Sequence, residues 1–399
     1  MNSVLSGLEV FLKNPPFKNA VPEIGLLCNP ASVDSSINHA KHLIAACYPG
    51  KLKALYSPQH GLNAEKQDNM CESADFTDPD LHIPVFSLYG DTRIPTLEML
   101  DPVETLVIDL IDVGTRVYTF AATVSYCLEQ AALLDKKVVI LDRPNPVSGN
   151  MVEGNFLIPE FASFVGRYPI PMRHGLTMGE LASYINTHHG IGCDLTVIHM
   201  SGWKRSMFYK DTRLPWVLPS PNLPTAESAL VYPGQVILEG TNISEGRGTT
   251  KPFEYIGAPY FDTDALISHM NLTCPKGRTA QVPGALLRPI SFEPTFGKWM
   301  GTACRGFQIH VTDPSAYRSY ETAVRLLDAV ISVHGDSFRW KEPPYEYEYE
   351  KLPIDLIFGD DKVRKRLESH ENIDDIIHDF EKDAAAFREM SEPHKLYRD

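Results

Sequence analysis

Short apolar segments alternate with amphipathic stretches through the first half of the chain. Helical periodicity covers Ile37–Cys47 and Tyr118–Leu134, and Thr177 followed by Glu180 predicts the capping box of a further helix. Near-continuous Val, Ile and Leu runs are typical of strands buried on both faces, so this half predicts a doubly wound parallel sheet of the α/β class. The predicted strands are Ile24–Cys28, Leu52–Tyr56, Pro84–Leu88, Thr105–Ile111, Lys137–Leu141 and Asp194–His199.

The second half of the chain has a different pattern. Prolines and glycines are frequent between residues 213 and 260 and helical periodicity is absent, so we expect a long ordered loop there. The remainder predicts an α+β region, with helices near Asp262–Leu272, Ser315–Val333 and Ile373–Met390 and strands near Leu286–Phe292 and Gly306–Thr312. We therefore expect a catalytic domain over residues 1–245 and a smaller auxiliary α+β domain over residues 246–399.

Charge narrows the possible partners. Lys and Arg number 37 against 51 Asp and Glu, a net charge of −14 that argues against nucleic acid or an anionic membrane as a partner. Acidic side chains also outnumber basic ones in residues 342–399, which we interpret as a solvated helical face, with a partner-binding tail as the alternative. No stretch has the length of a membrane span and the N-terminus lacks a signal-peptide pattern, so we expect a cytoplasmic protein.

Polar side chains follow four of the apolar segments. Ligands of open α/β sheets bind beyond the carboxyl ends of the strands, so convergence of these residues would form a polar small-molecule site. A glycine-rich segment, residues 239–254, has the composition of a ligand-gripping loop. The candidates at the strand ends are Gln59, His60, Asp112, Arg116, Tyr118, Arg143, Asn145, Arg173 and His174, and the candidates in the glycine-rich segment are Asn242, Glu245 and Arg247.

The signatures of several other chemistries are absent from the sequence. It contains no GxGxxG, GxxxxGK[ST], GxSxG or HExxH, which argues against a nucleotide cofactor, serine hydrolase chemistry and zincin chemistry. The seven cysteines include no CxxC pair and fit neither a disulfide framework nor a zinc site. We therefore expect neither a cofactor nor a metal.

Seven motifs together carry a family resemblance. In chain order they are SPQHG, SLYGDTRIPT, DVGTRVYTF, LDRPNP, SFVGRYPIPMRHGLTMGELA, LPSPNLPT and EGTNISEGRGTTKPFE. From about residue 22 to the C-terminus the chain resembles the NamZ-type exo-β-N-acetylmuramidases. The resemblance implies a Rossmann-like domain with a smaller auxiliary domain. It also implies hydrolysis of β-linked N-acetylmuramic acid from the non-reducing end of peptidoglycan fragments, a step in cell wall recycling, without nucleotide or metal.

One position departs from the pattern of the family. The resemblance implies Pro-Glu-His-Gly at the end of the second strand, with the Glu acting on the glycosidic bond, but this chain has Gln59 there. An amide cannot act as a general acid or base. We hypothesise that Glu65 or Glu72, equally plausible in the following loop, has taken over this role beside His60. Asp112, Glu239, Glu245 and Glu254 are the further candidates for the acid.

Two other functions follow from the same residues. If no carboxylate replaces the missing Glu, the chain would be a catalytically silent binder of muropeptides or other acidic glycans, with Gln59 supplying hydrogen bonds. A lyase or etherase acting on the lactyl group would use similar acid and base residues. In each case the lactyl carboxylate of muramic acid would suit a bidentate guanidinium, for which the candidates are Arg116, Arg143, Arg173 and Arg247.

Overall fold

A seven-stranded sheet forms the centre of the first half of the protein. The computed structural model describes residues 3–18, 20–274 and 278–399. Six strands run parallel, and the short β3 pairs antiparallel with β4 at one edge, in the order β3-β4-β2-β1-β5-β6-β7. The strands are β1 (Ile24–Cys28), β2 (Leu52–Ser57), β3 (Phe76–Thr77), β4 (Pro84–Ser87), β5 (Thr105–Asp109), β6 (Lys137–Leu141) and β7 (Asp194–Ile198).

Alternating strand residues face two apolar layers. In β5, Val107 packs in one cluster with Leu8 and Ile44, whereas the next residue, Ile108, packs in another with Val124. The first cluster includes residues of α1 (Gly7–Lys13) and α2 (Ala40–Cys47), and the second includes residues of α4 (Phe120–Leu133). Helices on both faces explain why the strands are apolar without alternation, and the predicted doubly wound α/β sheet is confirmed.

One local prediction is confirmed by a helix that follows the fourth polar segment. The helix α5 (Met178–His188) begins with the expected capping box, in which Thr177 accepts from the backbone of Glu180. Short helices α3 (Leu97–Leu100) and α6 (Tyr209–Thr212) and a 3₁₀ turn at Pro159–Phe161 complete this half.

The second half contains a four-stranded antiparallel sheet and most of the remaining helices. The sheet order is β8-β11-β10-β9, with β8 (Tyr255–Ala258), β9 (Ala280–Val282), β10 (Ala285–Phe292) and β11 (Cys304–Val311). The helices are α7 (Ala226–Gln235), α8 (Thr263–His269), α9 (Ser319–His334), α10 (Pro353–Phe358), α11 (Lys362–Glu368) and α12 (Ile373–Ser391), with 3₁₀ turns at Val236–Gly240 and Glu392–His394. This smaller sheet confirms the expected α+β region. The division into domains at residue 245 stays a prediction.

Two expectations were wrong. Residues 213–260 do not form a continuous loop, because α7, the 3₁₀ turn Val236–Gly240 and β8 lie within them. Pro233 is tolerated in the last helical turn of α7, and the helix packs on α9. Residues 342–399 are not a solvated face throughout, because Tyr345, Glu346 and Asp355 are buried.

No helix in the described ranges is long and apolar enough to cross a membrane.

Candidate active site

A narrow polar pocket lies beyond the carboxyl ends of β2 and β5. These strands flank β1 on its two sides, so the pocket occupies the crevice where the direction of the sheet connections reverses. Segments from the second half of the chain close it from above. Its lining comprises Gln59, His60, Asn69, Val117, Tyr118, Thr119, Phe120, Val165, Ser220, Asn222, Tyr232, Glu239, Arg247, Phe253, Tyr345 and Glu346.

Gln59 holds a buried carboxylate from the second half of the chain. Its Nε2 donates to Oε1 of Glu346 at 3.1 Å, while its Oε1 accepts from the hydroxyl of Thr119 at 2.6 Å. The hydroxyl of Tyr89 donates to the other oxygen of Glu346 at 2.5 Å. Burial raises the pKa of Glu346, and the hydrogen bonds from Tyr89 and Gln59 oppose that rise. Both partners of this carboxylate are neutral.

A second buried carboxylate, Glu239, has different surroundings. Its Oε1 lies 2.7 Å from the guanidinium of Arg247, and its Oε2 accepts from Tyr345 at 2.7 Å and from Asn69 at 3.0 Å. The pocket therefore contains one ion-paired carboxylate and one, Glu346, with only neutral partners.

His60 lies on the wall of the pocket in neutral form. Its Nδ1 lies 2.7 Å from the carbonyl oxygen of Lys66, which fixes Nδ1 as the donor and leaves Nε2 as an acceptor. Burial lowers its pKa to about 4, and the charge of Arg247 acts in the same direction. His60 can therefore accept a hydrogen bond from a polar ligand near neutral pH.

A wider outer basin adjoins the pocket. Asn69, Glu239, Arg247 and Tyr345 line both cavities and form the neck between them. The basin has a volume of ≈ 500 Å³, against ≈ 30 Å³ for the inner pocket. The basin therefore has room for a sugar ring, and the inner pocket does not. Asn69 is the neck residue that belongs to the largely exposed loop 63–72.

Three cationic side chains face the outer basin. The ammonium of Lys298 lies 2.9 Å from Glu245 and donates to two backbone carbonyls, and Arg247 is paired with Glu239. Lys341, by contrast, is exposed, and no described carboxylate forms an ion pair with it. Its Nζ lies 5.6 Å from the ring centroid of Tyr345 at the neck.

Seven of the predicted site residues line these cavities. Gln59, His60 and Tyr118 line the inner pocket, Asn242 and Glu245 line the outer basin, and Glu239 and Arg247 line both. The side chain of Asn242 is held by Tyr260 and by the backbone of Ser337 and Arg339.

Three of the predicted arginines have internal partners instead. Arg116 donates to four backbone carbonyls, Arg143 makes a bidentate pair with Asp109 at 2.5 and 2.8 Å, and Arg173 is paired with Glu153 at 2.6 Å. All three guanidinium groups are buried and outside both cavities. Of the four arginines expected to bind the lactyl carboxylate, only Arg247 lines the pocket or the basin.

Three further candidates are buried in structural contacts. His174 Nε2 lies 3.1 Å from Asp112, and its Nδ1 accepts from the backbone of Leu176. Asn145 donates to the carbonyl of Leu176 and accepts from Val147. None of the three lines the pocket or the basin. Their catalytic and binding roles stay predictions.

The structure places Glu65 and Glu72 outside both cavities. Both are exposed. Glu65 accepts from the backbone of Asn63, and Glu72 accepts from the hydroxyl of Tyr347 at 3.0 Å. Glu72 also lies 3.6 Å from the guanidinium of Arg93. The geometry therefore gives no support to a relocation of the acid into this loop.

Sequence reasoning missed Glu346, Tyr345 and Lys341. Tyr345 and Glu346 lie in residues 342–399, for which the charge pattern predicts a solvated face, and Lys341 directly precedes that segment. The available signal was the local sequence PPYEYEYEK, in which aromatic residues alternate with carboxylates after two prolines. Tyrosines in such density are unusual for a solvated helix and are typical of buried or ligand-contacting positions.

Within residues 3–18, 20–274 and 278–399 no cluster of three or more His, Cys, Asp or Glu side chains could hold a metal ion.

A pair of buried carboxyls in unlike environments, such as Glu239 and Glu346, is what a glycoside hydrolase requires. The comparisons agree with this class. The chain matches the N-terminal model of the exo-β-N-acetylmuramidase NamZ over residues 24–227 and the C-terminal model over residues 230–397. The chain belongs to the NamZ exo-β-N-acetylmuramidase family.

Individual relatives cover nearly the whole chain. It is 40% identical to the peptidoglycan β-N-acetylmuramidase NamZ of Bacillus subtilis (strain 168) over 396 residues, which are 99% of this chain and 91% of the relative. Two crystal structures of DUF1343 family proteins from Bacteroides fragilis are also similar. One has a TM-score of 0.85 at 30% identity over 99% of both chains, and the other has 0.73 at 27% over 100% of both.

Proposed function

We propose that this glycosidase releases β-linked N-acetylmuramic acid from the non-reducing end of peptidoglycan fragments. Membership of the NamZ family supports the reaction and the substrate class. The observation that carries the proposal is the pair of pocket carboxylates, Glu239 with a cationic partner and Glu346 with neutral ones. Glycoside hydrolysis uses one carboxyl that donates a proton and negative charge that stabilises the oxocarbenium-like transition state.

A silent glycan binder is less consistent with these contacts. Gln59 removes one carboxyl from the position that the family resemblance makes catalytic, but its amide donates to another carboxyl, Glu346, in the same pocket. The site therefore retains a carboxyl beside the position where the resemblance implies the catalytic Glu, which binding alone does not require.

The outer basin supplies a cation for the lactyl carboxylate of muramic acid. Lys341 is the cationic side chain of the basin that is exposed and not neutralised by a described carboxylate. Its ammonium lies beside Tyr345 in the lining of the basin that would hold the sugar. We assign recognition of the lactyl group to Lys341, in place of the buried arginines.

The activity is tested with three chromogenic glycosides. We expect turnover of the 4-nitrophenyl β-N-acetylmuraminide and little or no turnover of the matching N-acetylglucosaminide and glucoside. A protein that binds the muraminide without hydrolysing it would be the silent binder. Hydrolysis of all three sugars at similar kcat/KM would contradict muramic acid specificity.

A substitution tests lactyl recognition. Lys341→Met removes the ammonium and keeps the length of the side chain, so kcat/KM for the muraminide should fall roughly 10–100-fold, as expected for loss of a charge-assisted hydrogen bond. The residual rate on the N-acetylglucosaminide, which has no lactyl group, should not change. Lys362→Met, an exposed lysine of α11, is the matched control. Equal losses on both sugars would contradict a role in lactyl recognition.

A further inference from the structure

Glu346 is the carboxyl that contacts position 59, where the family resemblance implies the catalytic Glu. Its carboxyl lines the inner pocket and is held by the side chain of Gln59, the residue that replaces the expected Glu. We propose that Glu346 is the general acid that protonates the glycosidic oxygen in this chain. The assignment rests on the proposed muramidase function.

The contacts of Glu346 fix its orientation without neutralising it. Tyr89 donates to one oxygen and Gln59 to the other, so the carboxyl plane is held by two neutral groups from the ends of β4 and β2. Among the described residues, no Lys, Arg or His forms an ion pair with it. A buried carboxyl without a cationic partner favours its protonated form, which is the form a proton donor needs.

Glu239 is unsuited to this role. One of its oxygens is paired with Arg247, and the other accepts from Tyr345 and Asn69. A carboxylate in an ion pair with a guanidinium is a poor proton donor. Its charge instead suits stabilisation of the positive charge that develops on the sugar ring. The two carboxyls thus differ in their partners, Glu239 with a guanidinium and Glu346 with neutral groups.

The segment that carries Glu346 is fixed by several contacts. Tyr347 lies under the guanidinium of Arg93, 3.7 Å from its ring centroid, and Arg93 also lies 4.8 Å from the ring of Tyr89. Glu346 and Tyr347 both have positive φ, of 46° and 67°. Left-handed backbone at two consecutive residues other than glycine costs free energy and persists where the surrounding structure enforces it, commonly at functional sites.

The proposed step conserves protons and electrons. Glu346 transfers its proton to the glycosidic oxygen as the bond between that oxygen and C1 breaks, and the bonding electron pair stays with the oxygen. The aglycone leaves as a neutral alcohol. Water adds to C1, and the proton that water loses returns to the Glu346 carboxylate by the end of the turnover. The net reaction is hydrolysis, with no oxidant, reductant or further reactant.

The leaving group distinguishes a proton donor from other roles. A methyl aglycone must be protonated to leave, whereas 4-nitrophenolate leaves readily without a proton. For Glu346→Gln we expect kcat/KM on the methyl β-N-acetylmuraminide to fall ~10²–10⁴-fold, the usual effect of general acid catalysis, and to fall much less on the 4-nitrophenyl glycoside. Glu350→Gln, an exposed neighbour in the same segment, is the matched control and should match wild type.

The outcomes separate the two proposals. Wild type that hydrolyses neither muraminide would refute the muramidase function and this assignment with it. If wild type is active, a loss of equal size on both aglycones, or no loss, would overturn the assignment to Glu346. If Glu65→Gln or Glu72→Gln instead lowers kcat/KM on the methyl glycoside much more than on the 4-nitrophenyl glycoside, the general acid would be that residue of the loop after His60.

A second variant preserves the carboxyl and avoids a failure to fold. Tyr89→Phe removes a hydrogen bond that favours the ionised carboxylate, so the pKa of Glu346 should rise and the alkaline limb of the kcat/KM profile should move to higher pH. An unchanged alkaline limb would contradict the assignment. The other titratable and charged groups that face Glu346 and also affect this limb are Tyr232, Glu239, Arg247 and Tyr345.

Discussion

His60 couples the pocket to the stability of the protein. The folded protein lowers its pKa to about 4 by burial, whereas an unfolded chain would protonate it near pH 6.5. As the pH falls through this interval, the unfolded chain binds a proton that the folded protein does not. The free energy of unfolding therefore falls as the pH drops from 6.5 toward 4. His60 accounts for about 1.4 kcal/mol of this fall per pH unit.

The acid sensitivity can be assigned with one variant. Asn tolerates the positive φ of 77° at position 60 and does not titrate, so His60→Asn should lose about 2 kcal/mol less stability than wild type between pH 7 and pH 5. Urea unfolding at the two pH values measures the difference. Identical losses in the two proteins would show that His60 is not the residue responsible.

At the same scale, the strand-end rule located the pocket but not the direction of each side chain. Gln59 and His60 follow β2 and line the pocket as expected, whereas Arg143 turns back to pair with Asp109 at the end of β5. A sequence shows that a polar residue follows a strand. It does not show whether a buried carboxylate lies closer to that residue than the cleft does.

Arg116 joins two elements that are distant in the chain. Its guanidinium donates to the carbonyls of Ile357 and Phe358 at the end of α10, and to those of Asn155 and Ile170. Arg116→Lys keeps the charge, but an ammonium cannot reach four carbonyls with the same planar geometry. We expect the unfolding free energy to fall by ~2–4 kcal/mol in urea, because buried carbonyls lose their donors.

The same variant tests the earlier expectation that Arg116 binds substrate. Folded Arg116→Lys should retain the KM of wild type, because the guanidinium lies outside the pocket and the basin. A raised KM with unchanged stability would favour substrate binding instead.

Elements were predictable where local pattern and tertiary packing agree. The apolar runs identified β1, β2, β5 and β6 because strands buried on both faces need no other signal. The helix α7 escaped prediction because Pro233 and Gly234 argue against a helix locally, whereas packing on α9 stabilises it. Glu346 escaped because its burial depends on Tyr89 and Gln59, which lie far away in the sequence.

On the scale of the whole molecule, both ends of the chain meet at Asp142. The backbone N–H of Gly7 donates to the carbonyl of Asp142, and the hydroxyl of Tyr397 donates to its carboxylate at 2.6 Å. That hydroxyl also accepts from the backbone of Met200 at 3.0 Å. The N-terminal helix and the C-terminal residues are therefore tied to the end of β6.

Removing this single hydroxyl should be costly. Tyr397→Phe leaves a buried N–H and one carboxylate hydrogen bond unsatisfied, so we expect the unfolding free energy to fall by ~1–3 kcal/mol. Tyr349→Phe, at an exposed tyrosine, is the control and should stay within ~0.5 kcal/mol of wild type. Thermal unfolding followed by circular dichroism measures both, and equal midpoints for the two variants would contradict a structural role of the C-terminal residues.

The hydrogen bond between Gln59 and Glu346 also determines when the pocket forms during folding. It joins residues 287 positions apart, so the pocket is complete only after nearly the whole chain has been brought together. Closing so long a loop is slow compared with forming local helices. During synthesis, a nascent chain with a finished first sheet would still be inert toward glycans, and during refolding catalytic activity would return after helical structure has already recovered.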